Sequence, residues 1–214
     1  MAIFSGDIFA ENYTVSSSVT NVQISSVSGS TNSGDSPDDT HQFTGSLHIS
    51  GSSIALGDGN NNVVLGKNTN FNVTSQYSTF IGYNAAGGNE GTGVAGQSIT
   101  VVGYEAGQMM QQNPHRTTIV GAHAGKSLNV GLDNTFLGAY AGRNLTQADA
   151  NVFLGTYAGY QTVDVDNAVI IGYQAGYSNM TSAADGTIAI GYQAGYSLTS
   201  GASNTIIGYD AGKT

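Results

Sequence analysis

The sequence predicts an all-β chain: a parallel β-solenoid, or β-roll, of about nine coils with a repeat of ~17 residues, following an extended N-terminal region. Three observations lead there. A glycine-marked aliphatic segment recurs at near-constant spacing; the segments have the length and residue types of strands; and the composition suits many turns joined by short extended pieces.

The repeat comes first. Segments such as Asn62-Val-Val-Leu-Gly66, Asn134-Thr-Phe-Leu-Gly138 and Asn204-Thr-Ile-Ile-Gly208 end on Gly66, Gly82, Gly103, Gly121, Gly138, Gly155, Gly172, Gly191 and Gly208. The intervals are 16, 21, 18, 17, 17, 17, 19 and 17 residues. A steady period whose insertions fall in one place marks stacked coils with variable loops. Ala stands three positions after every one of these glycines except Gly66, and a Gly follows that Ala except at Ala86.

Each unit reads as one coil. The residue before the glycine is always aliphatic, from Leu65 to Ile207, and Thr, Val or Ile sits three before it. Positions −3 and −1 relative to the glycine therefore share one face of an extended strand. Position −2 is also apolar, as at Phe80, Phe136 and Phe153, so both strand faces are covered. Apolar runs of about four residues bounded by Gly and Asn are strand-like and do not fit a helix. The glycine permits a bend that a Cβ would resist, and the Ala-Gly pair marks a tightly packed second segment.

Short coils gain their core by stacking. At about 4.8 Å per strand, nine coils would make a rod of roughly 40 Å. Such a rod has one apolar face more than a monomer can bury, and the Phe80, Phe136 and Phe153 face is expected to form an exposed stripe unless other copies cover it. Closed cyclic symmetry, with three chains around the long axis, is the expected remedy.

Composition supports this reading. Gly is 31 of 214 residues, charged residues are 9%, and 39% apolar content is too high for a disordered chain. Net charge is −9, and the only basic residues are Lys67, Arg116, Lys126, Arg143 and Lys213. That is too few to neutralise a run of phosphates, so neither nucleic acid nor an anionic membrane is an expected partner. There is no cysteine, hence no disulfide framework or thiolate metal site. Residues 1–7 lack the charged and apolar regions of a signal peptide, and no apolar run is long enough to span a bilayer. Synthesis in a cytoplasm is expected.

Two domains are predicted: residues 1–50 as an attachment or trimer-initiating region, and residues 51–214 as the repeat shaft. The first holds an alternating Ser-rich segment, 15–27, and an acidic turn-rich stretch, 29–40. Ser53-Ile-Ala-Leu-Gly57 resembles a partial coil. The last coil ends without an atypical capping unit, and a bare coil end invites association. Either processing from a longer precursor or a cap supplied by another protein or copy is expected.

The motifs Asn-Thr-Phe-Leu-Gly-x-x-Ala-Gly at 134–142 and Ile-Gly-Tyr-Gln-Ala-Gly-Tyr-Ser at 171–178 resemble the shafts of bacteriophage tail fibres, notably of marine phages. Residues 39–51 look like the entry into such repeats. The coils are also similar to the heads of trimeric autotransporter adhesins, which are left-handed parallel β-rolls; those carry a signal peptide and a membrane anchor, and neither is seen here. Phage fibres of this kind are often followed by a self-cleaving chaperone domain, also not seen, which would fit a processed chain. The resemblance implies a homotrimeric virion protein, a tail appendage that contributes to host attachment. It would bind other tail proteins through its N-terminal region, and a glycan or protein on the host surface.

Each candidate for chemistry also has a packing role open to it. Tyr83, Tyr104, Tyr173, Tyr192 and Tyr209 directly follow the bend glycine, so stacked coils would align them. An exposed aromatic row would suit host sugars, but rings that fasten adjacent coils are the simpler reading. Asn62, Asn134, Asn151 and Asn204 form a column whose amides can bond along the stack. Asp133, Asp149, Asp164, Asp166 and Asp185 lie in loops; a glycosidase needs two carboxyls across a cleft, so these read as solvated charges. The calcium β-roll nonapeptide does not occur. His41, His48, His115 and His123 are scattered, and a hydrogen-bonded histidine outweighs a metal held by His123 at a trimer axis. Nucleophile-elbow, Walker and zinc-protease motifs are absent. No enzyme activity, cofactor or metal is expected. The rival readings are an adhesin or self-assembling extracellular filament, a polysaccharide-degrading spike, and, remotely, ice binding through rows of Thr.

Overall fold

The structure, a computed structural model, describes residues 61–69, 75–87, 94–111 and 114–214. The expectations for residues 1–50 and for the partial coil at 53–57 lie outside the described residues. Each bend glycine closes one three-residue strand: β1 (Val63–Leu65), β2 (Thr79–Ile81), β3 (Thr100–Val102), β4 (Thr118–Val120), β5 (Thr135–Leu137), β6 (Val152–Leu154), β7 (Val169–Ile171), β8 (Ile188–Ile190) and β9 (Thr205–Ile207). They form one parallel sheet in sequence order. The register never slips: position −2 of each coil pairs with position −2 of the next, as in Phe136↔Phe153 and Phe153↔Ile170. The fold is a β-solenoid of about eight turns. Extra residues sit in the loops, where Ser182–Ala184 make a 3-10 turn.

Four corners per coil turn the chain. The residue five before the glycine is left-handed in every coil, usually without being glycine: Asn61, Tyr77, Ser98, Arg116, Asp133, Ala150 and Asn167 have φ between 50° and 61°. The residue two after it is left-handed too, as at His123 and Tyr140. The bend glycines differ, with φ of 132° to 140°, a region essentially closed to residues with a Cβ. They are also pressed against the next coil: a Cβ on Gly138 would lie 2.6 Å from the Gly155 carbonyl carbon and 2.7 Å from its oxygen. Torsion and contact both require glycine there.

The core corrects one expectation. Positions −3 and −1 do share a face, but it is the outer one. Position −2 points into the coil, and Phe80, Phe136 and Phe153 are completely buried. The opposite wall explains why. The Ala column, including Ala106, Ala124, Ala141 and Ala158, and a loop column that includes Met110, Leu128 and Leu145 are likewise fully buried. A three-residue strand has one central side chain, and that chain fills the narrow interior against small alanines. The glycine after each Ala leaves room for it; a Cβ on Gly142 would lie 3.3 Å from both Phe136 and Phe153. Phe136 and Phe153 pack with centroids 5.3 Å apart. Fully burying each ring contributes roughly 1.5–3 kcal/mol.

Buried amides fasten the coils. Asn151 Nδ2 donates to the Val165 carbonyl at 2.7 Å and to Asn134 Oδ1 at 3.2 Å, while Asn151 Oδ1 accepts the Ala168 N–H at 2.8 Å. Asn134 Oδ1 accepts the Asn151 N–H at 3.0 Å, and Asn62 Oδ1 accepts the Ser78 N–H at 2.9 Å. The asparagine column is structural: it satisfies backbone groups inside the stack that water cannot reach.

Candidate functional site

The predicted tyrosines line up, and the stack is longer than the sequence suggested. Tyr83 stacks on Tyr104 at 5.6 Å between centroids, Tyr173 on Tyr192 at 5.6 Å, and Tyr192 on Tyr209 at 4.9 Å. The gap between Tyr104 and Tyr173 is filled from the neighbouring position, two after the glycine. There His123 stacks on Tyr140 at 5.0 Å, and Tyr140 on Tyr157 at 4.9 Å. Where one position carries a ring, the other carries a small or polar residue: Ala122, Ala139 and Thr156 precede His123, Tyr140 and Tyr157. The ring changes position twice, and at both changes the contact turns edge-on, Tyr104–His123 at 85° and Tyr157–Tyr173 at 89°. Eight rings thus run without a break from Tyr83 to Tyr209. A second short column, Tyr160, Tyr177 and Tyr196, stacks at 5.2 and 4.9 Å, with the Arg143 guanidinium 5.7 Å from the Tyr160 centroid.

This geometry decides what the rings can do. Sugar rings stack on free aromatic faces, but along most of this ladder the faces are covered by other rings. Solvent meets edges and hydroxyls, since Tyr83, Tyr104, Tyr173 and Tyr192 are only about half exposed. Such pairs contribute about 0.5–1.5 kcal/mol each beyond area burial, so fastening coils accounts for the row. Tyr209, 75% exposed, is the exception.

One charged pair, Glu105 and Lys126, lies beside the ladder. Glu105 Oε2 accepts from Lys126 Nζ at 2.6 Å, and this bond is the main cause that holds the Glu105 carboxyl below its ordinary range. His123 Nδ1 lies 3.2 Å from the same oxygen, close enough for attraction but misaligned for a hydrogen bond. Burial pushes the imidazole below its ordinary range, outweighing the nearby carboxylate. A hydrogen bond to Glu105 raises the Tyr104 phenol. His123 is thus a ring of the ladder whose charged form burial disfavours.

The aspartates are more than solvated charges, which corrects the earlier reading. Asp149 Oδ1 accepts the Leu132 N–H at 2.8 Å, Asp166 Oδ1 the Asp149 N–H at 2.7 Å, and Asp185 Oδ1 the Asp166 N–H at 2.9 Å. Each carboxylate caps the loop of the coil before it. Burial, reinforced by the neighbouring aspartates, raises the Asp166 carboxyl. Asp133 instead pairs with Arg116 at 2.6 Å on the exposed surface. No cluster of three or more His, Cys, Asp or Glu residues able to hold a metal occurs among the described residues.

Two surfaces remain. A shallow groove of about 350 Å³ is lined by Met109, Gln111, Ser127, Asn129, Thr146 and Gln147; its amides and hydroxyls can hydrogen-bond a neutral polar ligand. The larger surface is the outer sheet face, formed by positions −3 and −1 of β1 to β9. Two residues from each of nine strands make eighteen side chains, and every one is Leu, Ile, Val or Thr. Leu137, in the middle of the stack, is 45% exposed.

Comparison with known proteins returns no matching family model, no matching curated protein and no matching solved structure.

Proposed function

We propose that this chain is a structural virion protein, the homotrimeric shaft of a bacteriophage tail fibre, and that it contributes to attachment to the host cell. The observation that carries the reading is the outer face of the solenoid. Nine rungs in strict register turn an uncharged, mostly aliphatic ladder towards solvent, and the buried asparagines hold the coils together. A ladder of this kind suits an assembled shaft, and the tail-fibre-like motifs at 134–142 and 171–178 give the shaft its setting. The amide-lined groove is the place where a host ligand would be met.

Antibodies to residues 114–214 test the proposal on purified particles and on producing cells. Labelling of tails, with loss of adsorption when purified chain is added as competitor, is the expected result. Labelling confined to the surface of uninfected producing bacteria would replace the fibre with the adhesin reading. Sustained release of reducing sugar ends from capsular or cell-wall glycans would overturn the structural role in favour of a degrading spike.

A further inference from the structure

Stacking fastens the coils, and it also sets phenol against phenol in a branched network. We infer that the tyrosines from Tyr140 to Tyr209 form a conduit for a one-electron oxidising equivalent, which moves from ring to ring as a phenoxyl radical and leaves at Tyr209. The reaction partner is a one-electron oxidant of the high-valent metal or oxygen-radical class. The inference concerns the rings of a single chain and stands apart from the shaft proposed above.

Connectivity carries the argument. One rail runs from Tyr140 through Tyr157, Tyr173 and Tyr192 to Tyr209, with centroids 4.9, 6.2, 5.6 and 4.9 Å apart. A second runs from Tyr160 through Tyr177 to Tyr196, at 5.2 and 4.9 Å. Tyr157 joins the two, with Tyr160 at 5.2 Å and Tyr177 at 6.4 Å, and Tyr140 meets Tyr160 at 6.1 Å. Every step lies within the range of aromatic contact. Among the described residues, ring contacts reach Tyr173, Tyr192 and Tyr209 from Tyr140 only through Tyr157, and reach Tyr196 only through Tyr177. On the other side the network stops at His123, because an imidazole gives up an electron less readily than a phenol. Tyr83 and Tyr104 make a separate pair beyond it.

The chemistry balances at every step. The oxidant takes one electron from a phenol, whose proton passes to water, and a neutral phenoxyl remains. At the next contact the phenoxyl takes an electron from the neighbouring phenol and a proton from water, while the neighbour gives its own proton to water. One phenol is restored, the radical has moved one ring, and no atom of the chain is consumed. Donor and acceptor are the same chemical group, so each transfer is close to isoenergetic and contact between rings sets its rate. Tyr209 is the exit because it is the most exposed of these rings. A dissolved enediol or thiol that returns the electron and the proton meets it first.

Phenylalanine separates this role from fastening. It keeps the ring and its stacking but has no hydroxyl proton to release, and a phenyl ring is far harder to oxidise than a phenol. A Phe at the junction therefore leaves the coils held together and breaks the route.

The chain has no cysteine, so one ruthenium polypyridyl photosensitiser can be attached cleanly to the full-length protein. Ala122→Cys carries it: Ala122 is exposed, and its carbonyl accepts the Tyr140 N–H at 2.9 Å. Light, with a cobalt(III) ammine as sacrificial acceptor, makes the ruthenium(III) oxidant. A nitroso spin trap marks where the radical stands. Its nitrogen bonds to a ring carbon of the phenoxyl, the hydrogen on that carbon shifts to the phenolic oxygen, and peptide mass spectrometry locates the adduct. Tyr209 lies five coils from Ala122, about 24 Å, and Tyr196 four, about 19 Å; adducts at both are expected. Tyr157→Phe should lower the Tyr209 adduct several-fold and leave the Tyr196 adduct unchanged. Tyr177→Phe should do the reverse, and circular dichroism of both variants should match the parent. If Tyr157→Phe does not fold, Tyr192→Phe replaces it with the same expected result, since Tyr209 is reached through Tyr192. If Tyr177→Phe does not fold, loss at Tyr209 alone in the other variant carries the test. Adducts absent from the parent, unmoved by the substitutions, or falling together at both tyrosines overturn the conduit and leave the rings as fasteners.

Discussion

Replacing Gly138 by alanine tests the close stacking of coils most directly. Gly138 has φ of +135°, and holding a residue with a Cβ in so sparsely populated a region costs of order 1–3 kcal/mol. The added Cβ would also stand 2.6 Å from the Gly155 carbonyl carbon, far inside contact distance. The coils must part locally, which weakens the hydrogen bond from the Gly155 N–H to the Leu137 carbonyl, now 2.8 Å, at about 1 kcal/mol per bond. Together the substitution should destabilise by about 2–4 kcal/mol. Gly186→Ala is the control: φ is +71°, and the nearest atom to its Cβ would be Ser203 Oγ at 3.5 Å, leaving only a left-handed backbone cost of about 1–2 kcal/mol. Thermal unfolding followed by far-ultraviolet circular dichroism and by tyrosine signal, at one fixed protein concentration, should place Gly138→Ala about 2–8 °C below the control, at 2–4 °C per kcal/mol. Repeat arrays can open locally, so hydrogen exchange at the Leu137 and Gly155 amides should show accelerated exchange centred on that pair of coils. Equal losses in the two variants would refute the argument from coil-to-coil contact.

Asn151→Ala removes a buried amide and strands the Ala168 N–H and the Val165 carbonyl; a loss of about 2–4 kcal/mol is expected in denaturant unfolding. Phe153→Ala empties the centre of the core and should cost about 3–5 kcal/mol by the same measurement. Acid should destabilise the fold in two steps. The depressed His123 imidazole contributes stability above its unfolded value near 6.5 that is lost as pH falls through its folded value. The depressed Glu105 carboxyl contributes stability above 4.5 that is lost as pH falls through its own lowered value. A pH series of melting temperatures should show both declines in the wild type and only the lower one in His123→Gln. Asp166 behaves oppositely, because its carboxyl is raised: Asp166→Asn keeps the acceptor for the Asp149 N–H, and should match or exceed wild-type stability at pH 7, the advantage fading as the carboxyl protonates.

What the sequence made legible was whatever recurs with one residue type. The nine bend glycines mark nine strands, and the period supplied the parallel, in-order sheet. The face was harder. Alternation groups positions −3 and −1, but an apolar residue at −2 makes the two faces chemically alike; only closure of the coil onto its alanines decides that phenylalanine is inside. The ring ladder was half visible, because a search down one column finds Tyr83 and Tyr104 but loses the ring when it passes to His123 and Tyr140. Substitution of Ala122, Ala139 and Thr156 for tyrosine was the available signal. The aspartate caps were harder still: Asp149, Asp166 and Asp185 share one position, six before the bend glycine, but only three successive coils carry an acid there, and the left-handed corners at Arg116 and Ala150 carry none of the usual turn residues.

Because the upper surface of each coil matches the lower surface of the next, coils behave as interchangeable parts. In-frame duplication or loss of one unit lengthens or shortens the stack by about 4.8 Å and leaves both remaining junctions chemically familiar. Loops of unequal length between Ala-Gly and the following strand can meanwhile diverge freely, as the 3-10 turn at Ser182–Ala184 illustrates. Reach and surface character are thus separately adjustable, one by counting units and the other by rewriting their corners.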